Sequence, residues 1–391
     1  MLSPYSGRFR VGDRVVELRA PRLSDAKAWR RTNLEHEDRL RPAFGSPHSD
    51  WEAAHSAAEW AHTWLAARSG AGVPLSRVLM VDDGDSDRMV GQQTYAGPDP
   101  RTGHAEVSTW IAGLDDSAVI ARWMSAMCVL EVLRLNPHLR YITAPLAVTN
   151  APAIALAKAS GFTWVQDQRG LREYNGHPID HTVYALANSL ESRSMLAKIV
   201  SSFNPEPIRP RRTIAPSPEV LLGLARVGVR RARAGLRPRA VETARLLPTH
   251  SAQNGHDIEF TFDPSGYYTV TVDGTQMGQV EVHGDPGTST TEVIDRLRDE
   301  EQPQAAVAAL VAACRALADR QDTRRLTLAL ADRHASATSQ LTALGFESEG
   351  TALPTRGDEA TPRAAWTRYQ EQSVGASSGG AHHEDRARPV A

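Results

Sequence analysis

Cysteine is almost missing from this chain: 391 residues contain two, Cys128 and Cys314. Two thiols far apart in sequence build neither a disulfide framework nor a zinc-ligand spacing, and both stand inside segments that read as helices. This usage fits a reducing cytosol, and no metal site is expected. Also lacking is any apolar run of about eighteen residues, so no membrane-spanning helix is expected. The opening stretch, MLSPYSGRFRVGDRVVELR, has no apolar core of the kind a secretory signal requires. Net charge is scarce as well. A formal −2 gives no reason to expect a general polyanion binder, although local patches can still matter.

What is present describes a globular protein able to bury real cores, with 41% hydrophobic and 23% charged residues. The length suggests more than one domain. Val15 to Ala20 reads as a strand, with Ser24 placed to cap the helix that follows. A second helix from about Trp51 to Ala67 carries Trp60 and Trp64 one turn apart, as core anchors or as the lining of a substrate pocket. Ser76 to Val81, Arg88 to Tyr95 and His104 to Ile111 read as strands. Alternation puts Glu106, Ser108 and Trp110 on one face of the last of these.

The stretch from Trp110 to Phe162 organises the first half. A strand ends near Ile111, a short loop follows, and a helix runs from about Ser117 to Leu135. A strand from Tyr141 to Val148 then leads through Asn150 into a helix ending at Gly161-Phe162. With the opening ELRAPRLSDAKAW and the motif VTNAPAIALAKASGF, this order resembles the acetyl-CoA-binding core of the GNAT N-acetyltransferases, and within them the RimJ/RimL branch. The resemblance implies an α/β (α+β) fold with mixed, mostly antiparallel sheets flanked by helices. It implies acetyl-CoA as co-substrate, held by Ile111, by Ser117, Ala118, Val119, Ile120, Ala121 and Arg122, and by Asn150. Glu106 falls where many such enzymes place the residue that relays a proton from the acceptor amine. The chemistry needs such a group because an ammonium is no nucleophile.

One part departs from the family's pattern. Its phosphate loop relies on glycines at a helix N-terminus, so that backbone N–H groups approach the pyrophosphate closely. Here Ser117 and Val119 occupy those positions, and Asp115 and Asp116 precede them. The usual serine after the Asn is Ala153. Asn150 itself reads equally well as an ordinary helix cap.

Ten arginines against two glutamates fill residues 209–245, around a helix starting at Ser217-Pro218-Glu219. Such a basic helix could contact a polyanion or form a solvated linker face. Strands are then expected at His256–Phe262, Tyr267–Val272, Met277–His283 and Thr290–Leu297, with an Asp273-Gly274 hairpin. A helix, the strand Arg325–Leu330 and a further helix lead to Gly345-Phe346. This repeats the order of the first half, and Gly-Phe falls eleven residues after His334 as it does after Asn150. The second unit thus resembles a degenerate GNAT fold, with Pro303 and Ala305 at its glycine positions.

The expected organisation is a RimJ/RimL-like acetyltransferase domain over 1–190, a helical Arg-rich linker over 191–250, a degenerate GNAT-like domain over 251–370 and a disordered tail over 371–391. The expected activity is acetyl transfer to an amine, either a protein N-terminus or a small molecule, by direct attack on the thioester. The alternative is a catalytically inactive tandem pseudoenzyme acting as a binding or regulatory scaffold.

Overall fold

The protein is described by a computed structural model that defines residues 5–44, 50–69, 76–82, 84, 87–99, 101–115, 117–174, 177–209, 215–235, 246–263, 267–285, 290–298, 302–320, 323–355 and 363–370. The tail from 371 onward, Asp116 and parts of the Arg-rich stretch lie outside the described residues. The chain divides into two compact units. The first is Met1–Ala244 with Ala329–Asp332 and Ser348–Ala365, and the second is Arg245–Leu328, Arg333–Glu347 and Trp366–Ala391.

The first unit opens with a hairpin, β1 (Gly7–Val11) and β2 (Arg14–Arg19), and the helices α1 (Ala26–Glu35), α2 (Glu37–Phe44), α3 (Trp51–Ala54) and α4 (Ala57–Ser69). Then come β3 (Arg77–Asp82), β4 (Asp87–Ala96), β5 (His104–Ile111), α5 (Ser117–Leu135), β6 (Tyr141–Ala147) and α6 (Ala151–Ala159). β7 (Thr163–Tyr174), β8 (His177–Ala187), α7 (Leu190–Ser202), β9 (Glu206–Ile208) and α8 (Pro218–Gly235) complete it. The strands run in the order β9-β1-β2-β3-β4-β5-β6-β8-β7, antiparallel throughout except for the parallel β5–β6 pair.

α5 is the keel of this sheet. Nearly every residue from Ile120 to Leu133 is buried, because the helix meets apolar partners all round. Trp123, Met124 and Cys128 pack on Val16, Leu18, Leu79, Val90 and Ile111. Val129 and Leu133 join Ile142, Tyr184 and Leu186, with Leu196 and Ile199 of α7. A buried, bidentate ion pair ties the helix to β3: Arg77 donates to both Glu131 oxygens at 2.7 and 2.9 Å. Strand alternation sends Val78, Met80 and Met89 to the opposite face, against Trp29 and Trp60.

Trp60 is fully buried, donates its indole N–H to the Arg22 carbonyl at 3.0 Å, and stands 5.3 Å from the Trp29 ring. Of the two roles open to it, that of core anchor holds. Ser24 does not cap the first helix; Asp25 does the local work, accepting from the Arg22 backbone at 2.7 Å. α8 packs on α4 within the first unit, so closely that a Cβ on Gly223 would stand 3.0 Å from the Ala58 Cα.

The second unit begins with a meander of β10 (His250–Gln253), β11 (His256–Phe262), β12 (Tyr267–Val272), β13 (Thr275–Asp285) and β14 (Thr290–Leu297). Asp273 and Gly274, at φ +50° and +80°, make the hairpin turn between β12 and β13. α9 (Pro303–Ala318), β15 (Arg325–Leu330), α10 (Thr338–Ala343), β16 (Glu347–Ala352) and β17 (Arg363–Tyr369) follow in the chain; of these, β16 from Ser348 on, the end of β15 and the start of β17 belong to the first unit.

Local geometry repeats between the two halves of the chain. Gly161 and Gly345 both have φ +83°. Each precedes a phenylalanine whose N–H returns 3.0 Å to the helix, to Ala157 and to Leu341. Thr143 Oγ1 donates to the Ala105 carbonyl at 3.4 Å, and Thr327 Oγ1 to the Thr291 carbonyl at 3.4 Å. The N–H of Asn188 reaches Arg140 O, and that of Gln370 reaches Arg324 O, both at 2.8 Å. Cys128 and Cys314 each stand eleven residues beyond the first residue of their helix (117 to 128 and 303 to 314). Both are buried, and burial pushes both thiols well above their ordinary range.

Candidate active site

β5 and β6 part company where chemistry is expected. They pair only from His104↔Tyr141 to Glu106↔Thr143. Beyond that point β5 stays paired with β4 as far as Ile111, and β6 with β8 as far as Ala147. The gap is therefore a splay between two well-held strands, and not a fraying end. On the two edges that face each other, the backbone groups of 107–111 and 144–147 make no ladder bonds to one another among the described residues. Backbone groups left without ladder partners are open to a bound ligand. β5 is held away by its other neighbour, since Gly91 lets β4 approach so closely that a Cβ there would stand 2.9 Å from Ile111 Cγ1 and the Trp110 carbonyl.

The splay opens on a cavity of about 750 Å³. Its walls are Thr109, Trp110 and Ile111 of β5, the first two turns of α5, Ala147 at the end of β6, Thr149 after it, and Asn150 to Ala159 along α6. Seven of the residues expected to hold the co-substrate meet here: Ile111, Ser117, Ala118, Val119, Ala121, Arg122 and Asn150. Ile120 is the exception. It is 1% exposed and packs with Val90 and Leu114 in the core, because the helical turn that puts Val119 and Arg122 outside puts Ile120 inside. Asn150 also caps α6, its Oδ1 accepting from the Ala153 N–H at 3.2 Å. Val119, 51% exposed, sits on the cavity wall without filling it.

Glu106 is at the apex of the splay, on the β5 face opposite Thr109 and Ile111, and outside the cavity lining. Its carboxylate is ion-paired with Arg172 of β7, both side chains about one-third exposed. Burial opposes the Arg172 charge, but Glu106 and then Tyr174 outweigh it and raise the guanidinium pKa. Beside them His181, on β8 opposite Ala147, is 2% exposed and 2.8 Å from the Ile179 carbonyl through Nδ1. Burial lowers its pKa against that hydrogen bond, and Arg172 adds to the lowering.

Arg39 also lines the cavity and was not foreseen. It belongs to α2, in the stretch EHEDRLRPAF, whose short apolar face rests on Leu40, Ala43 and Phe44 with Pro42 between them.

The positions of the second unit corresponding to this cleft are differently furnished. Matching Thr291 to Ala105 through the shared threonine bond puts Asp295 where the first unit has Thr109. Matching Gly345 to Gly161 puts His334 where it has Asn150. Asp295 and His334 are fully buried and joined at 2.5 Å through Nδ1 and Oδ2. Among the described residues, no cluster of three or more His, Cys, Asp or Glu could hold a metal, and no helix is long and apolar enough to cross a membrane.

Residues 18–183 match the family described as acetyltransferase (GNAT) domain. The matched stretch lies within the first unit and covers less than half of the chain. Among solved structures, the chain is similar to Mycobacterium smegmatis RimJ in complex with CoA-disulfide, at 25% identity and a TM-score of 0.44, covering 52% of this chain and 96% of that one. It is also similar to the ribosomal-protein-S5-alanine acetyltransferase of Vibrio fischeri, at 17% identity and a TM-score of 0.40, covering 47% and 97%. A third, the microcin C7 self-immunity acetyltransferase MccE with acetyl-CoA and AMP, shows 14% identity and a TM-score of 0.38, covering 48% and 98%. No curated protein matches the sequence.

Proposed function

We propose that the first unit transfers an acetyl group from acetyl-CoA to an amine, and that the second unit is a divergent copy of the same fold with its cleft closed. The observation that carries this reading is the splay of β5 from β6 into a cavity bordered by the start of α5. An extended thioester substrate supplies partners for the unpaired strand edges, and the α5 N-terminus favours its phosphates. Ile111, Ser117, Ala118, Val119, Ala121, Arg122 and Asn150 border that path.

The reaction requires a neutral amine. Its lone pair attacks the thioester carbonyl carbon, the C–N bond forms as the C–S bond breaks, and the departing sulfur takes up a proton. Glu106, at the apex of the splay, accepts the proton that the ammonium must first lose, directly or through water. Arg172 fixes the carboxylate from one side, leaving its remaining lone pairs for the acceptor. The acceptor is a protein N-terminus or a small amine.

The reading is tested by steady-state acetyl transfer across a panel of amines. Glu106→Gln is expected to lower kcat about a hundredfold with little change in the KM for acetyl-CoA. Unchanged kcat in that variant removes Glu106 from the mechanism. The Arg172 ion pair favours one other reading, a unit that binds acetyl-CoA without turnover. Binding with no acetyl transfer to any amine would select it.

A further inference from the structure

The glycine-poor loop leaves open how this domain holds phosphate, and the answer lies outside the loop. Most arginines of the first unit are engaged. Arg19 holds Asp25 at 2.8 Å, Arg41 holds Glu37 at 2.6 Å, Arg77 holds Glu131 at 2.7 Å, and Arg88 donates to the Gly113 carbonyl at 2.9 Å. Arg39 and Arg122 differ. Neither guanidinium makes a hydrogen bond or ion pair among the described residues, and both line the cavity. They reach it from different elements, Arg39 from α2 and Arg122 from the second turn of α5. The intervening wall is apolar, formed by residues such as Ala118, Val119 and Leu156.

Two exposed guanidinium groups without protein partners line one cavity, from two elements, beside a helix N-terminus. A guanidinium is suited to an anion because its fork of donors matches two oxygens of one phosphate. Asp115, exposed next to α5, opposes an anion and makes a compensating cation necessary.

We infer that Arg39 and Arg122 form a side-chain phosphate clamp for the acyl-CoA substrate, doing with two guanidinium groups what glycine-loop amides do elsewhere. This rests on the acyltransferase reading of the cleft. It extends the site to α2, so the segment from Glu37 to Phe44 is part of the binding machinery and not only a cover for the sheet.

The test is binding of acetyl-CoA and of S-acetyl-pantetheine, which lacks the nucleotide and its phosphates, to the full-length protein by calorimetry. Arg39→Gln and Arg122→Gln are compared with wild type and with Arg31→Gln, an exposed α1 arginine outside the cavity. Each clamp variant is expected to weaken acetyl-CoA binding about tenfold, to leave acetyl-pantetheine binding unchanged and to flatten the salt dependence, while the control behaves as wild type. Wild-type affinity for acetyl-CoA in Arg39→Gln overturns the clamp and leaves the acyltransferase reading standing. Equal losses for both ligands also overturn it, since they would show a general distortion. Wild-type protein that binds neither ligand overturns the acyltransferase reading and the clamp with it.

Discussion

Glu106 illustrates how far a residue's role depends on what stands beside it. Its alternation on β5 was legible from the sequence, and so was its distance from the helix that follows. Its partner was not, because Arg172 is 66 residues away and joins it only through the strand order. Ile120 shows the converse. It lies within a run of residues that the motif assigns to the cofactor, but one helical position decides between cavity and core, and a motif does not resolve that. In the second unit Glu281 offers a pH-dependent signal. It is fully buried, and although burial opposes its charge, hydrogen bonds from His283 and Arg296 hold its pKa at about 2 against an ordinary 4.5. The unfolded chain therefore takes up the proton first, and the stabilisation is complete above about pH 4.5 and is lost as pH falls toward 2. Urea titrations of Glu281→Gln across pH 2 to 7 are expected to show a shallower loss of stability below pH 4.5 than wild type. Parallel curves for the two proteins would contradict this.

At the scale of elements, the long periodic segments declared themselves and the irregular ones did not. α5 and the strands Tyr267–Val272, Thr290–Leu297 and Arg325–Leu330 fall where hydrophobic patterning and turn residues place them. α2 is hard to read because its apolar face, Leu40, Ala43 and Phe44, is short and broken by Pro42, and the hairpin strand β1 because it spans only five residues. The buried acid inside α5 was also invisible as a partner. Glu131 stands in an apolar run, and its match, Arg77, comes from another strand. Both are largely desolvated, so removing one leaves a buried charge uncompensated. Glu131→Ala is expected to cost roughly 3–5 kcal/mol in unfolding free energy. Arg77→Met/Glu131→Leu, which removes both charges, is expected to cost clearly less. If the double variant is no better than the single, the ion pair is not what fixes α5 to β3.

At the scale of the whole molecule, the sequence carries the repeat in its Gly-Phe spacing, and the hydrogen bonds of Thr143 and Thr327 supply the register that spacing alone lacked. If the proposed repeat holds, the two cysteines are counterparts, each buried in the helix that follows a strand of the sheet. Native protein is expected to leave both thiols unreacted with a thiol reagent at pH 8 over a time in which urea-unfolded protein reacts at two thiols per chain. Fast labelling of either thiol in the native state would show that its helix opens readily. Under the proposed repeat, the first-unit cavity is bordered by Thr109 and Asn150, and the matching positions of the second unit hold a buried Asp295–His334 bridge.

The central claim is that this chain holds one working acyl-CoA cleft, at the splay of β5 and β6. It is tested most directly by calorimetric titration of the full-length protein with acetyl-CoA, alongside Val119→Asp, which puts a carboxylate on the cavity wall. Saturable binding of one acetyl-CoA per chain, abolished in Val119→Asp, is the predicted result. Two equivalents per chain, binding untouched by Val119→Asp, or no binding at millimolar acetyl-CoA would contradict the account.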